Sequence, residues 1–200
     1  MLGKRRQTPE AKQRIAEEIQ QIRAPDPEYV LRGHRADVQA LAFHLALDLL
    51  YAGDAEGQLF LWDLQQRRPV QEKRLHSAEA GIISLHLLGT AWLLSQGRDG
   101  TAMVWRLEAD GCVKEGDPVK VLAVGSYNFC RASIALVENR GAEHGPGMDG
   151  LPFLLAVAGD DAAILEIWDL QAGRRVATLR QPEGMALSWR WPLTAAGKAA

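Results

Sequence analysis

A chain of 200 residues, 47% apolar and 24% charged, has the makeup of a globular protein of one ordinary or one large domain. No apolar run reaches the roughly 18 residues a membrane-spanning helix needs, and a net charge of −2 offers nucleic acid no overall attraction. The charge is uneven: residues 1–24 carry six Lys/Arg against three Asp/Glu (+3), and the rest carry seventeen against twenty-two (−5).

The first predicted element is a helix over residues 8–23. Thr8 caps it, and Pro9 fits its first turn, where a missing N–H costs nothing. Ala11, Ile15, Ile19 and Ile22 share one face, and Pro25 and Pro27 end it. It reads as an amphipathic extension over residues 1–24. The basic cluster Lys4, Arg5, Arg6 is not followed by an apolar stretch, so no secretory signal is expected. Glu10, Glu17 and Glu18 argue against a transit peptide. Cys112 and Cys130 lie well apart in the chain and form no C-x-x-C pair, and are expected to be reduced thiols in a cytoplasmic or nuclear protein.

From Tyr29 onward short apolar stretches alternate with Gly, Asp, Asn and Pro turns, the pattern of many short strands. Gly33-His34 is followed by Trp62-Asp63, and His76 by Trp105. The two histidines, like the two tryptophans, are separated by roughly 40–45 residues, the period of a four-stranded propeller blade. A third match, Ile164–Leu170 (ILEIWDL), places Trp168 about one and a half such periods after Trp105. The glycine-rich stretch Glu138–Gly150 accounts for most of the surplus. Within each unit a strand, a tight turn and a second strand succeed one another: Leu49–Gly53, Ala55–Gly57 and Gln58–Trp62, then Trp92–Gly97, Asp99-Gly100 and Thr101–Trp105.

At these residues, over roughly 28–180, the chain resembles the WD40 repeat family. A narrower resemblance rests on Pro25–Gly33 (PDPEYVLRG), Leu93–Asp99 (LLSQGRD) and Phe129–Ile134 (FCRASI). These are similar to the ASTRA-associated protein 1 family, also called G-protein β-subunit-like protein 1. The resemblance implies an all-β WD40 β-propeller. Blade one is expected over 28–70, blade two over 71–125, a degenerate blade three over 126–180 and the start of a fourth at 185–191. A disordered tail is expected over 192–200. The family's N-terminal strand, here near Tyr29–Arg32, usually closes the ring against the last blade. The chain is therefore expected to be a partial propeller, apparently truncated, with open sheet edges. The resemblance further implies a non-catalytic scaffold whose partners are other proteins, in chaperone assemblies that mature kinases related to phosphatidylinositol 3-kinase. A nucleic-acid-associated or chromatin-complex propeller subunit is the alternative.

His76, Ser95, Asp99 and Trp105 contain a Ser, a His and an Asp, which invites a hydrolase reading. In WD40 blades these positions form a buried hydrogen-bond chain that fixes blade geometry. A nucleophile would need exposure and an oxyanion hole. His34, Trp62 and Trp168 are expected in the corresponding networks of blades one and three. Blade one departs from the pattern, with Ala52 and Glu56 where Ser and Asp would stand. Blade three has no His, and carries Ala162 six residues before Trp168. No catalytic, cofactor-binding or metal-binding residues are expected, and no small-molecule substrate. Gly145-x-Gly147-x-x-Gly150 has no helix after it, and Pro146 removes a phosphate-binding donor. His144, Asp149, Asp160 and Asp161 have no recurring ligand spacing. The basic pairs Arg67-Arg68, Lys73-Arg74 and Arg174-Arg175 read as a solvated rim. Arg98, in the turn before Asp99, is the candidate partner-binding residue, since arginine is enriched at binding hot spots.

Overall fold

The computed structural model describes residues 27–125, 130–137, 152–161 and 163–180. The segments expected as the N-terminal helix, the glycine-rich loop, the start of blade four and the tail lie outside the described residues, as does Ala162. Residues 1–32 and 33–200 are separate compact units. Of the first, the described residues 27–32 lie outside every sheet. Tyr29–Arg32, expected to be a strand, is therefore not one here, because a strand needs a second backbone paired with it.

The second unit is all β, with no helix among the described residues. Among the described residues twelve strands form three four-stranded antiparallel sheets, each a meander in which neighbours in sequence are neighbours in space. The first sheet comprises β1 (Val38–Phe43), β2 (Leu49–Asp54), β3 (Gln58–Asp63) and β4 (Arg68–Arg74). The second comprises β5 (Ile82–Leu88), β6 (Trp92–Gly97), β7 (Thr101–Arg106) and β8 (Lys120–Ala123). The third comprises β9 (Ser133–Leu136), β10 (Phe153–Ala158), β11 (Ile164–Asp169) and β12 (Arg174–Arg180). The first sheet runs past the division placed at residue 70, because β4 continues its pairing with β3 to Arg74.

Side-chain alternation and burial on both faces explain how the sheets stack. All six residues of β2 are buried. Leu49 and Tyr51 join Leu59 and Leu61 of β3 in a cluster with Ile82, Leu85, Leu93 and Trp105 of the second sheet. The opposite face of the second sheet, including Leu88, Leu94, Ala102 and Val104, packs against Leu155 and Val157 of the third and against Leu170, just after β11. A sheet buried on both faces reads as a nearly continuous apolar run, as β2 and β6 do. The turns into β3 and β7 require positive φ, supplied by Gly57 at 74° and Gly100 at 75°. At Gly57 a Cβ would also meet the carbonyl oxygens of His76 (2.6 Å) and Ser77 (2.7 Å), so that turn is pressed against the neighbouring blade.

Candidate functional site

The polar network of the second sheet is assembled from four places. His76 enters between β4 and β5, Ser95 stands on β6, Asp99 in the β6–β7 turn and Trp105 on β7. His76 Nδ1 lies 2.9 Å from Asp99 Oδ2, and Nε2 lies 2.8 Å from Ser95 Oγ. Trp105 Nε1 donates to that same Oγ at 3.0 Å. With Nδ1–H given to the carboxylate, the Ser95 hydroxyl donates to Nε2 and accepts from the indole, so every polar atom of the chain is used. The other carboxylate oxygen, Asp99 Oδ1, accepts from the Thr101 amide (3.0 Å) and hydroxyl (2.6 Å). Burial pushes the Asp99 carboxyl up. The hydrogen bonds from His76 and Thr101 outweigh that and hold it below its ordinary value. Ser95 is 0% exposed and His76 3%, so the hydroxyl faces protein on every side. Gly97 makes room for the arrangement: a Cβ there would collide with the His76 ring and sit 2.7 Å from Asp99 Oδ1.

The first sheet solves the same problem with a different residue. His34 Nδ1 bonds Asp54 Oδ2 at 2.9 Å, and Asp54 Oδ1 accepts from the Glu56 and Gln58 amides, each at 3.0 Å. Asp54 stands eight residues before Trp62, where the second repeat has Gly97 eight residues before Trp105. The carboxylate thus comes directly from the position that must be glycine when it comes from two residues later. Glu56, aligned with Asp99, gives the network only its amide. His34 also packs against Phe60, with ring centroids 4.2 Å apart and the ring planes tilted by 52°. Beyond it, Ala52 supplies a methyl where Ser95 supplies a hydroxyl, and His34 Nε2 is buried without a hydrogen-bond partner.

The third sheet has no histidine in its strands. Trp168 Nε1 donates to Glu166 Oε2 at 3.0 Å on the same strand, and Glu166 Oε1 is paired with Arg175 Nη1 of β12. Trp168 is therefore polar-anchored through a carboxylate and an arginine. Arg98, read as a turn residue open to partners, is half-buried, and its amide donates to Gly81 O at 3.1 Å. Asp160 and Asp161 are exposed, and His144 and Asp149 lie outside the described residues.

Two buried groups were not marked by the sequence reading. Gln96, fully buried on β6, accepts from Ser84 Oγ (2.9 Å) and the Ala132 amide (2.8 Å) and donates to Cys130 O (3.3 Å). Tyr51 donates its hydroxyl to Gly111 O at 2.6 Å. Both tie one repeat to the next. The signal was present: an uncharged polar residue inside an apolar strand needs a partner, and the next repeat is the nearest source.

The family model described as "WD domain, G-beta repeat" matches residues 25–63. ASTRA-associated protein 1 of Yarrowia lipolytica is 33% identical over 166 residues, covering 73% of this chain and 37% of that protein. The protein of the same name from Verticillium alfalfae is 33% identical over 182 residues, with 82% and 44% covered. Guanine nucleotide-binding protein subunit beta-like protein 1 of Mus musculus is 34% identical over 168 residues, with 81% and 46% covered. The chain thus spans less than half the length of these relatives. Among solved structures, the β-propeller domain of Myceliophteria thermophila Cps50 (Swd1) superposes with a TM-score of 0.61 at 15% identity, covering 84% of this chain and 55% of that one. The WD40 repeats of RRP9 do so at 0.56 and 14%, covering 81% and 44%. With Gly33-His34 leading into the first sheet, and Trp62-Asp63 and Trp168-Asp169 set in four-stranded antiparallel sheets, the chain carries a WD40 repeat domain, and it is similar to ASTRA-associated protein 1 and G-protein β-like protein 1.

Proposed function

We propose that this chain is part of a non-catalytic WD-repeat adaptor that holds other proteins in a multi-subunit assembly, in the cytoplasm or the nucleus. The assembly we propose is a chaperone-linked complex that matures kinases related to phosphatidylinositol 3-kinase. One observation carries the reading of the blade chemistry: Ser95, His76 and Asp99 are consumed by Trp105 and Thr101 inside the sheet. Their polar atoms are spent on holding the blade rather than on a substrate. Similarity at 33–34% identity to ASTRA-associated protein 1 and G-protein β-like protein 1 supports the choice of assembly. Affinity purification of the tagged chain followed by mass spectrometry tests it. Chaperone subunits and a kinase of that class are expected to be enriched together; a preparation in which no other polypeptide exceeds background would sink the adaptor reading. Arg98 is the proposed contact at the turn end of blade two. Arg98→Glu should lower recovery of at least one partner while leaving the thermal midpoint in place, and equal recovery of every partner discards it.

A further inference from the structure

The two seams between the sheets are built differently. Between the first and second sheets the chain comes unusually close to itself. Besides Gly57, three glycines stand where a side chain would have no room. A Cβ on Gly53 of β2 would sit 2.7 Å from the Ile82 side chain of β5, and one on Gly81 would sit 2.8 Å from Ala55 Cα in the β2–β3 turn. One on Gly111 would overlap the Leu49 side chain. These approaches lie inside van der Waals contact, so the absent Cβ atoms let the two sheets close to a separation where dispersion contacts are dense.

A strap reinforces that seam. The β7–β8 connection spans residues 107–119, against 64–67 and 170–173 at the same place in the other two sheets. It closes a small hairpin through the Leu107–Val113 bridge and turns back over the first sheet. Tyr51 OH donates to Gly111 O at 2.6 Å. The Gln71 side-chain amide exchanges two bonds of 2.8 Å with the Val113 backbone, and Lys73 Nζ donates to Lys114 O at 2.7 Å. Leu107 and Val113 are buried in the apolar cluster that the two sheets share.

Between the second and third sheets the polar ties among the described residues are long side chains. Gln96 reaches Cys130 O and the Ala132 amide, and Lys120 Nζ reaches Leu170 O and Gln171 O. A Cβ on Gly125 would run into the far end of the Asp160 side chain, which can swing away, rather than into backbone. Beside Ala132 the seam also holds a buried imidazole nitrogen, His86 Nε2, without a hydrogen-bond partner. Apolar side chains fill both seams. When the second opens, however, Gln96 and Lys120 regain rotamer freedom and His86 Nε2 regains water. We propose that this seam is where the chain opens, with β9–β12 leaving as one unit while the first two sheets stay locked together. The inference goes beyond the adaptor reading and does not depend on it. A partner that spans the seam binds only the closed form and so holds it shut.

Native-state hydrogen exchange of the full chain, read by mass spectrometry in guanidinium chloride below the main unfolding transition, tests it. The interior strands β10 and β11 are expected to lose protection together, at lower denaturant than β2, β3, β6 and β7. Lys120→Met keeps the length of the side chain and removes the ammonium. It should speed exchange in β10 and β11 about ten-fold, the order of one lost charged hydrogen bond, and leave β2 and β3 unchanged. Gln71→Leu should speed exchange in residues 107–113 and leave the order of the sheets as it was. A single step shared by all three sheets, or loss of protection in β2 and β3 before β10 and β11, overturns the proposal. So does an equal acceleration of every sheet by Lys120→Met. If that variant fails to fold, the order of exchange in the unsubstituted chain decides alone.

Discussion

At the residue scale, Ala52 shows what the network contributes. Ala52 stands ten residues before Trp62, where blade two has Ser95, and blade one carries a buried imidazole nitrogen, His34 Nε2, without a hydrogen-bond partner, whereas the equivalent atom in blade two meets Ser95. Ala52→Ser is expected to raise stability by about 0.5–1.5 kcal/mol, the net value of a typical hydrogen bond. A thermal midpoint that falls would show that the hydroxyl cannot reach. In blade two the opposite changes, His76→Ala or Asp99→Ala, leave buried partners unpaired and should cost about 1–3 kcal/mol. An unchanged midpoint rules the network out as a source of stability. The pH dependence has a definite sign. The folded Asp99 carboxyl sits below its ordinary value, so its contribution is present above the ordinary carboxyl pKa and is lost as pH falls through the folded one. The stability gap between the chain and Asp99→Asn should narrow below about pH 4 and stay constant above about pH 5. His76, Ser95, Asp99 and Trp105 could be placed together through the resemblance to WD40 blades, because blade two keeps those four positions. Asp54 could not be. The spacing aligns Glu56 with Asp99, and only the backbone shows that a carboxylate two residues earlier reaches the same imidazole. Glu166 and Arg175 replace the pattern with different chemistry, so no spacing rule could find them.

At the element scale, what repetition made legible was the strand count within a blade, since the alternation recurs in all three repeats, the glycine turns at Gly57 and Gly100 in the first two and the Trp-Asp ends in the first and third. What it left illegible were the links between blades, which are made by single side chains with no period. Gln96 is one: its amide takes the Ser84 hydroxyl on one side and the Ala132 and Cys130 backbone on the other, joining β6 to the entry of β9. Lys120 is another, giving Nζ to Leu170 O at 2.8 Å and to Gln171 O. Gln96→Leu preserves volume and strands three polar partners, so about 1–3 kcal/mol should be lost. Hydrogen exchange should accelerate in Ser133–Leu136 before it does in Val38–Phe43. Uniform acceleration across the sheets would mean that Gln96 supports its own blade only. His86, on β5, adds a pH term to the same interface. Burial holds its imidazole below the ordinary value, against a weaker opposing effect of its bond to the Ala132 backbone. The unfolded chain therefore takes up this proton first, and stability should decline as pH falls below about 6.5. His86→Gln should flatten that part of the profile; a profile unchanged by the substitution would assign the decline to other groups.

At the scale of the whole second unit, the edge strands differ in how they are guarded. Strand β4 carries Arg68, Pro69, Glu72, Lys73 and Arg74, and β12 carries Arg174, Arg175 and Arg180. Charge and proline of this kind discourage a second backbone from adding to the sheet. Strand β1 (VQALAF) has no charged residue and pairs with β2 alone. Arg131 Nη2 meets one of its carbonyls, Gln39 O, at 3.0 Å. Ala40 and Ala42 turn toward the core between the first two sheets, which leaves Val38 and Leu41 exposed at the edge. Sequence spacing could not distinguish this edge from the others, because edge status belongs to the assembled sheet and the alternation of β1 is that of any half-buried strand. An uncharged, half-apolar edge is a template for strand addition. Chains of 22.0 kDa should therefore associate as concentration rises, with β1 at the contact. Leu41→Lys places a charge on the exposed face without touching the Ala40 and Ala42 contacts, and should return the light-scattering mass toward that of one chain. A mass already that of one chain at high concentration, or one that Leu41→Lys does not change, would move the contact away from β1.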